Sequence, residues 1–592
     1  MHFAGLPGIF SFKSRHEKNH RKYWQVCSYC VLLNLFQQAC AQAEPFSSTQ
    51  LVPSSTFNFP YEITYGPNDS LWVTERVGKR VVVVSPVNGG RRTVLNLSGV
   101  VYQSAGQDGL MGLTIHPQFG LGTGEDFVYL AYTYDNDPGI PVQRRTKITR
   151  YTYTLGSTCV LNPASAFDLI SGLQGSNDHN SGRLKIGPDL KLYYTIGDQG
   201  YNQFANMCGI IRSLDLPTAA EVAANDYTKY QGKILRMNLD GTIPADNPLI
   251  DPDQAGPEAA ARSHIFSYGH RNPQGLIFAP DGKLYADEHG PKSDDEINLV
   301  TAGKNYGWPR IAGYNDNAAY VYGQWGSSTP TPCGSLSYSD YTIPASVPQY
   351  QESTYSHPDL TDPLKTIYTV PTGYNFQDPA CLGNYFICWP TIGPSSLDIY
   401  TKGLGGIPGW SNSLLVTSLK RGSVIRYQLS TDGLTIPGSC IEYWNTTNRF
   451  RDIAIHPSGT EFYVITDNSG STSGPSSGYT NTLDNPGTIM KYTYTGILLP
   501  LNEEERNPVR VTDMVKVYPN PATNHINIQG KRALQKPLRV QLYSMSSVLV
   551  KEVTSFKNEF SINIAAMPAG VYLLKLYNGN GMEVQTEKIV KY

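Results

Sequence analysis

The stretch 176–203 concentrates side chains that could move a proton. Asp178 and His179 stand among small and amide residues, and Asp198 follows an aromatic-rich, strand-like run. The imidazole of histidine has an unperturbed pKa near neutrality, which makes it a common proton acceptor, and a carboxylate can orient it. The sequence therefore predicts a histidine base paired with a carboxylate. Two surface turns without chemistry are the alternative for an isolated Asp-His pair.

Other segments supply the amide, carboxylate and cationic groups that a cofactor site needs. GQDGLMG at 106–112 places an amide and a carboxylate between glycines, which suits hydrogen bonds to hydroxyls. EHGPKSDDE at 288–296 is acidic and rich in turn residues, and such oxygens are ligands for hard cations. Each cluster alone is typical of a solvated face. Cations that converge on a histidine, however, favour a polyanionic cofactor over a protein-binding surface. The candidate cations are Arg271, Lys420, Arg449 and Arg451.

A degenerate repeat provides the elements that would bring these side chains together. Each copy contains a turn, an alternating aromatic-rich strand and then an acidic residue. The copies lie at 66–76, 187–198, 279–290 and 456–467. A closed radial array of such units gathers the acidic strand ends at one mouth. The pattern predicts an all-β fold with a β-propeller over residues 51–495, with a sandwich array as the alternative. Because a compact blade needs only about 40–45 residues, long loops are expected.

The composition agrees with a multidomain β protein. The chain has 592 residues, too many for one small core. Its 40 tyrosines, 55 glycines and 41 prolines suit many short strands, because aromatics fill pleated faces while glycine and proline form turns. The 47 Lys and Arg residues balance 49 Asp and Glu residues, so no nucleic-acid or membrane-surface partner is expected.

Residues 1–43 are predicted to be a signal peptide. An apolar run at 26–36 follows two basic residues and is short for a membrane span, and Ala41–Ala43 forms an A-x-A cleavage pattern. A lipoprotein signal around Cys40 is the alternative. Removing this leader would leave an even number of cysteines, which permits disulfides in an exported chain, and Cys381–Cys388 is the expected local pair. The remaining cysteines are Cys159, Cys208, Cys333, Cys381, Cys388 and Cys440.

The C-terminal region is predicted to be a separate domain. A polar linker at 496–510 precedes residues 511–592, whose alternating strands indicate a small β-sandwich. The YPNP sequence at 518–521 and the closing strand that begins at Gly570 resemble the C-terminal sorting domain of the type IX secretion system. The resemblance implies a partner in the secretion machinery. It also implies a secreted protein, extracellular or at the cell surface, exported through the periplasm.

The propeller region resembles the soluble quinoprotein aldose (glucose) dehydrogenases, which are calcium- and PQQ-dependent six-bladed propellers. The motifs that carry the resemblance occur in the family's order: GQDGLMG, DHNSGRL, IGPDLKLYYTIGDQGYNQ, GHRNPQGL, GPKSDDEINL, GKNYGWP, FICWP, SLKRG and NRFRD. It implies oxidation of the C1 hydroxyl of glucose or a related aldose to the lactone, with electrons passed to an external acceptor. A dehydrogenase of sorbosone or another sugar aldehyde, and a non-catalytic propeller that binds glycans or proteins, are the alternatives.

The resemblance also implies a role for each matching residue. His179 would be the general base, Asp198 would orient it, and Arg271 would stabilise charge on the quinone oxygen. Gln107, Asp178 and Gln203 would hold sugar hydroxyls. The residues expected to bind PQQ or to belong to its pocket are Asn272, Lys420, Arg449, Arg451, Thr391 and Asp467.

Three calcium sites are implied in the same way. The carbonyl groups of Gly290 and Pro291 would hold a calcium ion beside PQQ, where it would act as a Lewis acid. A second ion would bridge two subunits of a homodimer through Asp295, Glu296 and the Tyr306 carbonyl. The expected ligands of the third ion are Ala312, Tyr314, Asp316 and Glu352.

Two departures from the family pattern concern the sugar. Phe386 stands where the family has an aromatic hydroxyl, so a hydrogen bond would be lost while the ring contact remains. Residues 315–365 diverge most and could reshape the sugar entrance.

Overall fold

The computed structural model describes residues 44–154, 160–250, 260–474, 478–499, 515–530, 538–544, 549–577 and 583–592. The predicted leader 1–43, Cys159 and most of the predicted linker lie outside these ranges. Within them, no helix has the length and apolar character needed to cross a membrane.

Six antiparallel sheets, each with four strands along its main path, form the blades of the propeller. The N-terminal strand β1 (Phe46–Gln50) belongs to the last blade. Blade 1 contains β2 (Pro60–Gly66), β3 (Ser70–Glu75), β4 (Arg80–Val84) and β5 (Arg91–Asn96). Blade 2 contains β6 (Leu110–Ile115), β7 (Phe127–Asp135), β8 (Arg144–Thr154) with the short β9 (Val160–Leu161) beside it, and β10 (Phe167–Gln174). Blade 3 contains β11 (Leu184–Ile186), β12 (Lys191–Ile196), β13 (Lys233–Asn238) and, after the hairpin β14 (Leu249–Ile250) and β15 (Ala261–Arg262), β16 (Ile265–Tyr268).

The other three blades repeat this order from the inner to the outer strand. Blade 4 contains β17 (Pro273–Phe278), β18 (Leu284–Glu288), β19 (Asp295–Val300) and, after the paired β20 (Tyr322–Gly323) and β21 (Gln349–Tyr350), β22 (Lys365–Ile367). Blade 5 contains β23 (Pro394–Tyr400), β24 (Ser413–Ser418), β25 (Val424–Gln428) and β26 (Ile441–Tyr443). Blade 6 contains β27 (Phe450–Ile455), β28 (Glu461–Thr466) and β29 (Ile489–Tyr494), and β1 completes it. A short helix, α1 (Ala219–Ala223), has a capping box at Thr218 and Glu221. The 3-10 turns are Pro163–Ser165, Phe204–Asn206, Trp325–Ser327, Cys333–Ser335, Glu352–Thr354, Pro379–Cys381 and Tyr385–Ile387.

The blades close into a ring. The inner strands β2, β6, β11, β17, β23 and β27 each contact the next, and β27 contacts β2. Hydrophobic clusters fill the space between neighbouring blades, so a central strand such as β12 (KLYYTI) is buried on both faces. Because β1 pairs with β29, strands from the two ends of the region share the last blade. The predicted six-bladed propeller is confirmed.

Arg183, just before β11, joins five blades at the axis. It is fully buried, and its Nη1 bonds to the carboxylates of Glu62 in blade 1 and, at 2.8 Å, Asp452 in blade 6. Its Nε donates to the carbonyl oxygen of Gln274 in blade 4 at 3.0 Å, and its Nη2 to that of Ser395 in blade 5 at 3.1 Å. One side chain therefore links the inner strands that surround the predicted site.

Two disulfide bonds link loop residues in the described part of the chain. The predicted Cys381–Cys388 pair is present. A second bridge, Cys208–Cys333, spans 125 residues and links the loop after β12 to the insertion between β19 and β22. Cys440 packs beside the hydrophobic cluster between blades 4 and 5.

The C-terminal region forms the predicted β-sandwich. A three-stranded sheet contains β30 (Val515–Tyr518), β31 (His525–Gly530) and β34 (Glu559–Asn563). A four-stranded sheet contains β33 (Leu549–Ser555), β32 (Leu538–Ser544), β35 (Gly570–Tyr577) and β36 (Glu583–Lys591). Burial alternates along β35 (GVYLLKLY), as expected for a strand with one face on the core. Ile526, Val540 and Leu574 are among the residues of this core.

Candidate active site

His179 and Asp198 form a buried, directly bonded pair. Asp198 lies in the turn that follows β12 and is 1% exposed, and its Oδ1 is 2.7 Å from His179 Nδ1. An ionised carboxylate only accepts hydrogen bonds, so Nδ1 carries the proton and Nε2 presents its lone pair. Trp308 Nε1 donates to the other oxygen of Asp198 at 2.9 Å. The geometry gives His179 the tautomer and orientation of a general base.

The backbone around this pair explains the glycines of the motif. His179 has a φ of 45°, in the left-handed region. A Cβ at Gly197 would collide with the carbonyl oxygen of His179, and one at Gly200 would come within 2.7 Å of Asp178. Gly200 also has a φ of +64°. Side chains at these two positions would push the turn away from the histidine loop.

The three residues predicted to hold sugar hydroxyls lie on the Nε2 side of His179. Gln203 Nε2 is 3.3 Å from His179 Nε2 and donates to Asp178 Oδ2 at 3.1 Å. Gln107 Nε2 donates to Asp178 Oδ1 at 2.5 Å. Arg271 Nη2 donates to Gln203 Oε1 at 3.1 Å, which orients the amide of Gln203. Hydrogen-bonding groups therefore surround the free nitrogen of the imidazole.

A cavity of about 480 Å³ opens in front of the imidazole. Its walls contain His179, Arg271, Thr391, Lys420 and Arg449. A second cavity of about 510 Å³ shares several wall residues with it and adds Arg451 and Asp467. The cations that are far apart in sequence therefore converge on the histidine, as the sequence predicts.

Lys420 is a buried residue in the wall of the 480 Å³ cavity. Its Nζ donates to the carbonyl oxygens of Phe386 at 3.0 Å and Trp389 at 2.9 Å, and to Thr391 Oγ1 at 2.5 Å. Burial lowers its pKa to about 7, although the charge of Asp295 acts in the opposite direction. Lys420 is therefore a cation that changes charge near neutral pH.

Arg449 and Arg451 flank a buried carboxylate. Arg451 binds both oxygens of Asp467, at 3.2 and 2.7 Å, and Arg449 Nε lies 3.7 Å from Asp467 Oδ2. Burial alone would raise the pKa of Asp467, but the guanidinium groups outweigh it and hold that pKa below its ordinary value. Asp467 therefore stays ionised and fixes the two arginines.

The donor set fits a polyanion. Arg271 Nε and Arg449 Nε are buried, and neither has a hydrogen-bond partner among the described residues. Such groups are costly unless something accepts their protons. Together with the positive charges of Lys420 and Arg451, these two donors suit carboxylates and quinone oxygens. This arrangement agrees with the expected PQQ site.

Asn272 does not line either cavity. It is 1% exposed, and its Oδ1 accepts from Ser181 Oγ at 3.0 Å and Gln274 Nε2 at 2.9 Å. The chain thus places it behind the histidine loop, beside Gly197. Its predicted cofactor contact stays a prediction.

Among the predicted calcium ligands, Gly290 and Pro291 line the cavity. Asp295 is nearly fully buried, and its oxygens accept from the backbone amides of Gly290 at 2.9 Å, Ile392 at 2.6 Å and Gly393 at 3.1 Å. The chain itself therefore holds this carboxylate. Within the described ranges, no group of three or more His, Cys, Asp or Glu side chains is arranged to hold a metal ion.

The ligands predicted for the other calcium ions lie in β19 and in the segment between β19 and β22. Glu296 accepts from the amide of Gly313 at 2.8 Å, and Glu352 from those of Ala312 at 3.0 Å and Asn317 at 2.8 Å. Burial, with the charges of Asp316 and Asp294, raises the pKa of Glu352 to about 7. Burial also raises the pKa of Glu296, with Glu288 adding to it. Tyr306 stacks on His270, and Tyr314 is half-buried. Glu296 and Glu352 are therefore buried carboxylates, whereas Asp316 is exposed.

Two residues at the site were not singled out from the sequence. Trp308 lies in the GKNYGWP motif, but only the fold shows that its indole reaches Asp198. His289 lines both cavities, and its Nε2 donates to the carbonyl oxygen of Pro394 at 2.6 Å. Burial, followed by the charge of Arg271, lowers the pKa of His289 well below its ordinary value. His289 is therefore a poor proton acceptor, and its Nε2–H is already bonded to the backbone.

Fold and site define a six-bladed propeller with a buried His–Asp pair that faces a cation-lined cavity. The chain belongs to the glucose/sorbosone dehydrogenase family, whose sequence model matches residues 57–359 and 369–473. A model described as a secretion system C-terminal sorting domain matches residues 516–592. The latter indicates an exported protein, extracellular or at the cell surface.

Individual relatives agree with the family. The chain is 41% identical over 468 residues to quinoprotein glucose dehydrogenase B of Acinetobacter calcoaceticus, covering 78% of this chain and 94% of the relative. It is 27% identical over 430 residues to aldose sugar dehydrogenase YliI of Escherichia coli K12, covering 72% and 92%. A crystal structure of a glucose dehydrogenase aligns with 76% of this chain and 100% of its own, at 21% identity and a TM-score of 0.50. That structural likeness supports the fold.

Proposed function

We propose that the protein is a quinoprotein dehydrogenase that oxidises the C1 hydroxyl of glucose or a related aldose to the lactone. The observation that carries the proposal is the imidazole of His179, which Asp198 bonds at Nδ1 so that the unprotonated Nε2 faces a cavity lined with cations. The family membership and the quinoprotein relative support the same chemistry. An external acceptor would take the electrons.

His179 would accept the proton of the C1 hydroxyl on Nε2. The carboxylate of Asp198 would stabilise the imidazolium that forms, because an opposite charge at 2.7 Å favours the charged ring. Gln203, Asp178 and Gln107 would hold the sugar so that its C1 hydroxyl replaces the amide of Gln203 beside Nε2. The site thus supplies a base, an orienting group and hydroxyl ligands.

PQQ, when bound, supplies the ortho-quinone that accepts the hydride from C1. Lys420, Arg449 and Arg451 would bind its carboxylates, and Thr391 and Asn272 would add hydrogen bonds. Arg271 would oppose the negative charge that develops on the quinone oxygen. Asp467 accepts hydrogen bonds only, so its proposed role is to fix the two arginines and not to touch a carboxylate.

The proposed calcium sites use the ligands that the family resemblance implies. The carbonyl oxygens of Gly290 and Pro291 would hold an ion whose chemistry is that of a Lewis acid. Glu296, with Asp295 and the Tyr306 carbonyl, would hold one between two subunits of a homodimer. The third set comprises Ala312, Tyr314, Asp316 and Glu352. Residues 1–43 would direct export to the periplasm, and the sorting domain would then engage the secretion machinery.

Reconstitution tests the proposed activity. The apoprotein is incubated with PQQ and Ca²⁺ and assayed with a dye acceptor against a panel of aldoses and sugar aldehydes. Glucose or a related aldose should be oxidised, and the product should be the lactone. Turnover of sugar aldehydes alone would favour the sorbosone-type reaction, and no turnover across the panel would contradict the proposal.

Binding of PQQ to the apoprotein should weaken as the pH rises above 7. The charged form of Lys420 attracts a carboxylate, and its pKa is lowered to about 7, so above this pH the lysine must first take up a proton. Affinity should fall about fivefold between pH 7 and pH 8, because the protonated fraction of a group with a pKa of about 7 falls from about one half to about one eleventh over this range. Titration of the apoprotein with PQQ, followed by absorbance or fluorescence quenching, measures this affinity. In Lys420→Arg the guanidinium stays charged, so the pH dependence should flatten. An equally steep decline in that variant would exclude Lys420 as its source.

Trp308→Phe should lower kcat by about 10- to 100-fold. The change keeps a ring under the guanidinium of Arg271, which lies 5.3 Å from the indole centroid, but removes the 2.9 Å hydrogen bond to Asp198. A hydrogen bond to a charged group is worth about 1.5–3 kcal/mol. Asp198, the carboxylate that stabilises the imidazolium, would lose part of this energy. Steady-state kinetics across pH should show the loss in kcat, with KM for the sugar little changed. A variant with wild-type kcat would mean that Trp308 serves only packing.

A further inference from the structure

A turn with a strained backbone carries Gln203, whose amide lies beside Nε2 of His179. Asn202 and Phe204, on either side of Gln203, have φ values of 64° and 43°, and Gln199 has a φ of 67°. L side chains rarely adopt this left-handed conformation, and it persists only where the surroundings fix it. The position of Gln203 therefore depends on what holds the turn from outside.

The insertion between β19 and β22 holds both neighbours of this glutamine. The Nδ2 of Asn202 donates to the carbonyl oxygen of Gly323 at 2.8 Å, and its Oδ1 accepts from the amide of Trp325 at 2.8 Å. The ring of Phe204 packs on the ring of Tyr338, with the two centroids 5.1 Å apart. The turn is thus attached to one outside segment at two successive points.

The Cys208–Cys333 bridge joins the same two segments covalently. Cys208 follows the 3-10 turn Phe204–Asn206, and a Cβ at Gly326 would come within 2.8 Å of the Cys208 carbonyl oxygen, so the two backbones are in close contact. Cys333 is buried in a small hydrophobic cluster of the insertion. Because the bridge closes a loop of 125 residues, its loss would release a large restraint on the turn.

We propose that the insertion between β19 and β22 is a positioning element of the active site. Through Asn202 and the Cys208–Cys333 bridge, it holds Gln203 against Nε2 of His179. The inference rests on the proposed function, in which this glutamine binds a sugar hydroxyl. The insertion fixes the backbone of the turn, and a displaced backbone would carry the amide away from the sugar.

Kinetics of the reconstituted enzyme test this role with two independent variants. Cys208→Ser/Cys333→Ser removes the bridge. Asn202→Asp still accepts from the amide of Trp325 and tolerates the left-handed backbone, but it places a second oxygen against the carbonyl oxygen of Gly323. Each variant should raise KM for glucose about three- to tenfold, the usual cost of ordering a mobile polar side chain on binding. Because this loss is shared by the ground state and the transition state, kcat should change less than about twofold.

Asn412→Asp is the matched control. Asn412 is also left-handed, with a φ of 60°, and its Nδ2 donates to the carbonyl oxygen of Ser430 at 2.7 Å. It lies at the end of β24 that is away from Lys420, so KM should equal that of the wild type. The Gln203→Ala background then separates positioning from general loosening. Without the glutamine amide, removal of the bridge should raise KM no further.

Hydrogen exchange of the apoprotein needs no turnover, and it separates failure of this inference from failure of the proposed function. Removal of the bridge should speed exchange at least about tenfold at the amides of Asn206 and Met207, which bond within the turn, and leave the β12 amides unchanged. If no aldose is oxidised but this exchange rises, the insertion still holds Gln203 and the proposed oxidation falls. Unchanged exchange, an unchanged KM in both variants, or a KM effect of bridge removal that persists in Gln203→Ala would overturn the positioning role.

Discussion

Replacing His179 by asparagine is expected to lower kcat for the sugar by about 10²–10⁴-fold, the usual contribution of a general base. Asparagine is the sharpest choice because its backbone tolerates the left-handed region that His179 occupies at φ 45°. Its amide can still donate to Asp198, so the turn after β12 keeps its bond. What it lacks is a nitrogen lone pair at the position of Nε2, and the proton of the C1 hydroxyl then has no acceptor.

The experiment compares kcat and cofactor affinity in the same preparation. PQQ affinity should stay close to wild type, because the cations that line the cavity do not bond to His179. Asp198→Asn is the companion variant. Its amide can donate to Nδ1, which would move the ring proton to Nε2 and block the base, so a loss of similar size is expected. Near wild-type turnover in the His179→Asn variant would remove His179 from the proposed mechanism, whatever the cofactor affinity.

The sequence was sufficient for features that repeat or that lie close together along the chain. The propeller follows from recurring turn–strand units, the count of six blades from the family resemblance, and the local Cys381–Cys388 bridge from short spacing. His179 and Asp198 are separated by 19 residues, one hairpin, so their approach could be anticipated. The convergence of Lys420, Arg449 and Arg451 required the ring to close, and the resemblance supplied that expectation.

Features that depend on one long-range contact carried no sequence signal. The Cys208–Cys333 bridge joins two loops 125 residues apart, and an even cysteine count leaves its pairing open. Trp308 donates a hydrogen bond to Asp198, which lies 110 residues earlier in the chain, and neither the residue types nor their spacing predict this bond. The bonds of Asn272 Oδ1 to Ser181 and Gln274 likewise had no sequence signal. Such details are fixed by how the blades meet.

The contacts of Arg183 depend most strongly on how the blades meet. Arg183→Met is expected to destabilise the propeller by about 3–5 kcal/mol. Methionine occupies much of the same space, so the loss comes from the charges left behind. Glu62 and Asp452 would be buried without a counter-ion, and breaking a buried pair from one side costs about this much. Two backbone carbonyls, of Gln274 and Ser395, would also lose their donors.

Denaturant unfolding followed by tryptophan fluorescence reports this domain selectively, since the tryptophans all lie before residue 500. Lys304→Met is the matched control. It breaks an exposed pair with Asp359 at 3.6 Å, which is worth about 0–1 kcal/mol. Adding Glu62→Gln and Asp452→Asn to Arg183→Met should recover part of the loss, because the uncompensated charges disappear.

The pH dependence distinguishes stranded charge from lost packing. Burial raises the pKa of Glu62 even while Arg183 opposes the shift, so removal of the arginine should raise that pKa further. A carboxyl group whose pKa is higher in the folded state binds its proton more tightly there, and acid then favours folding. The deficit of Arg183→Met relative to wild type should therefore shrink as the pH falls from 7 towards 5. A loss of stability that is constant over this range would be assigned to packing at the axis. A loss no larger than that of Lys304→Met would mean that the five blades do not need the arginine to close.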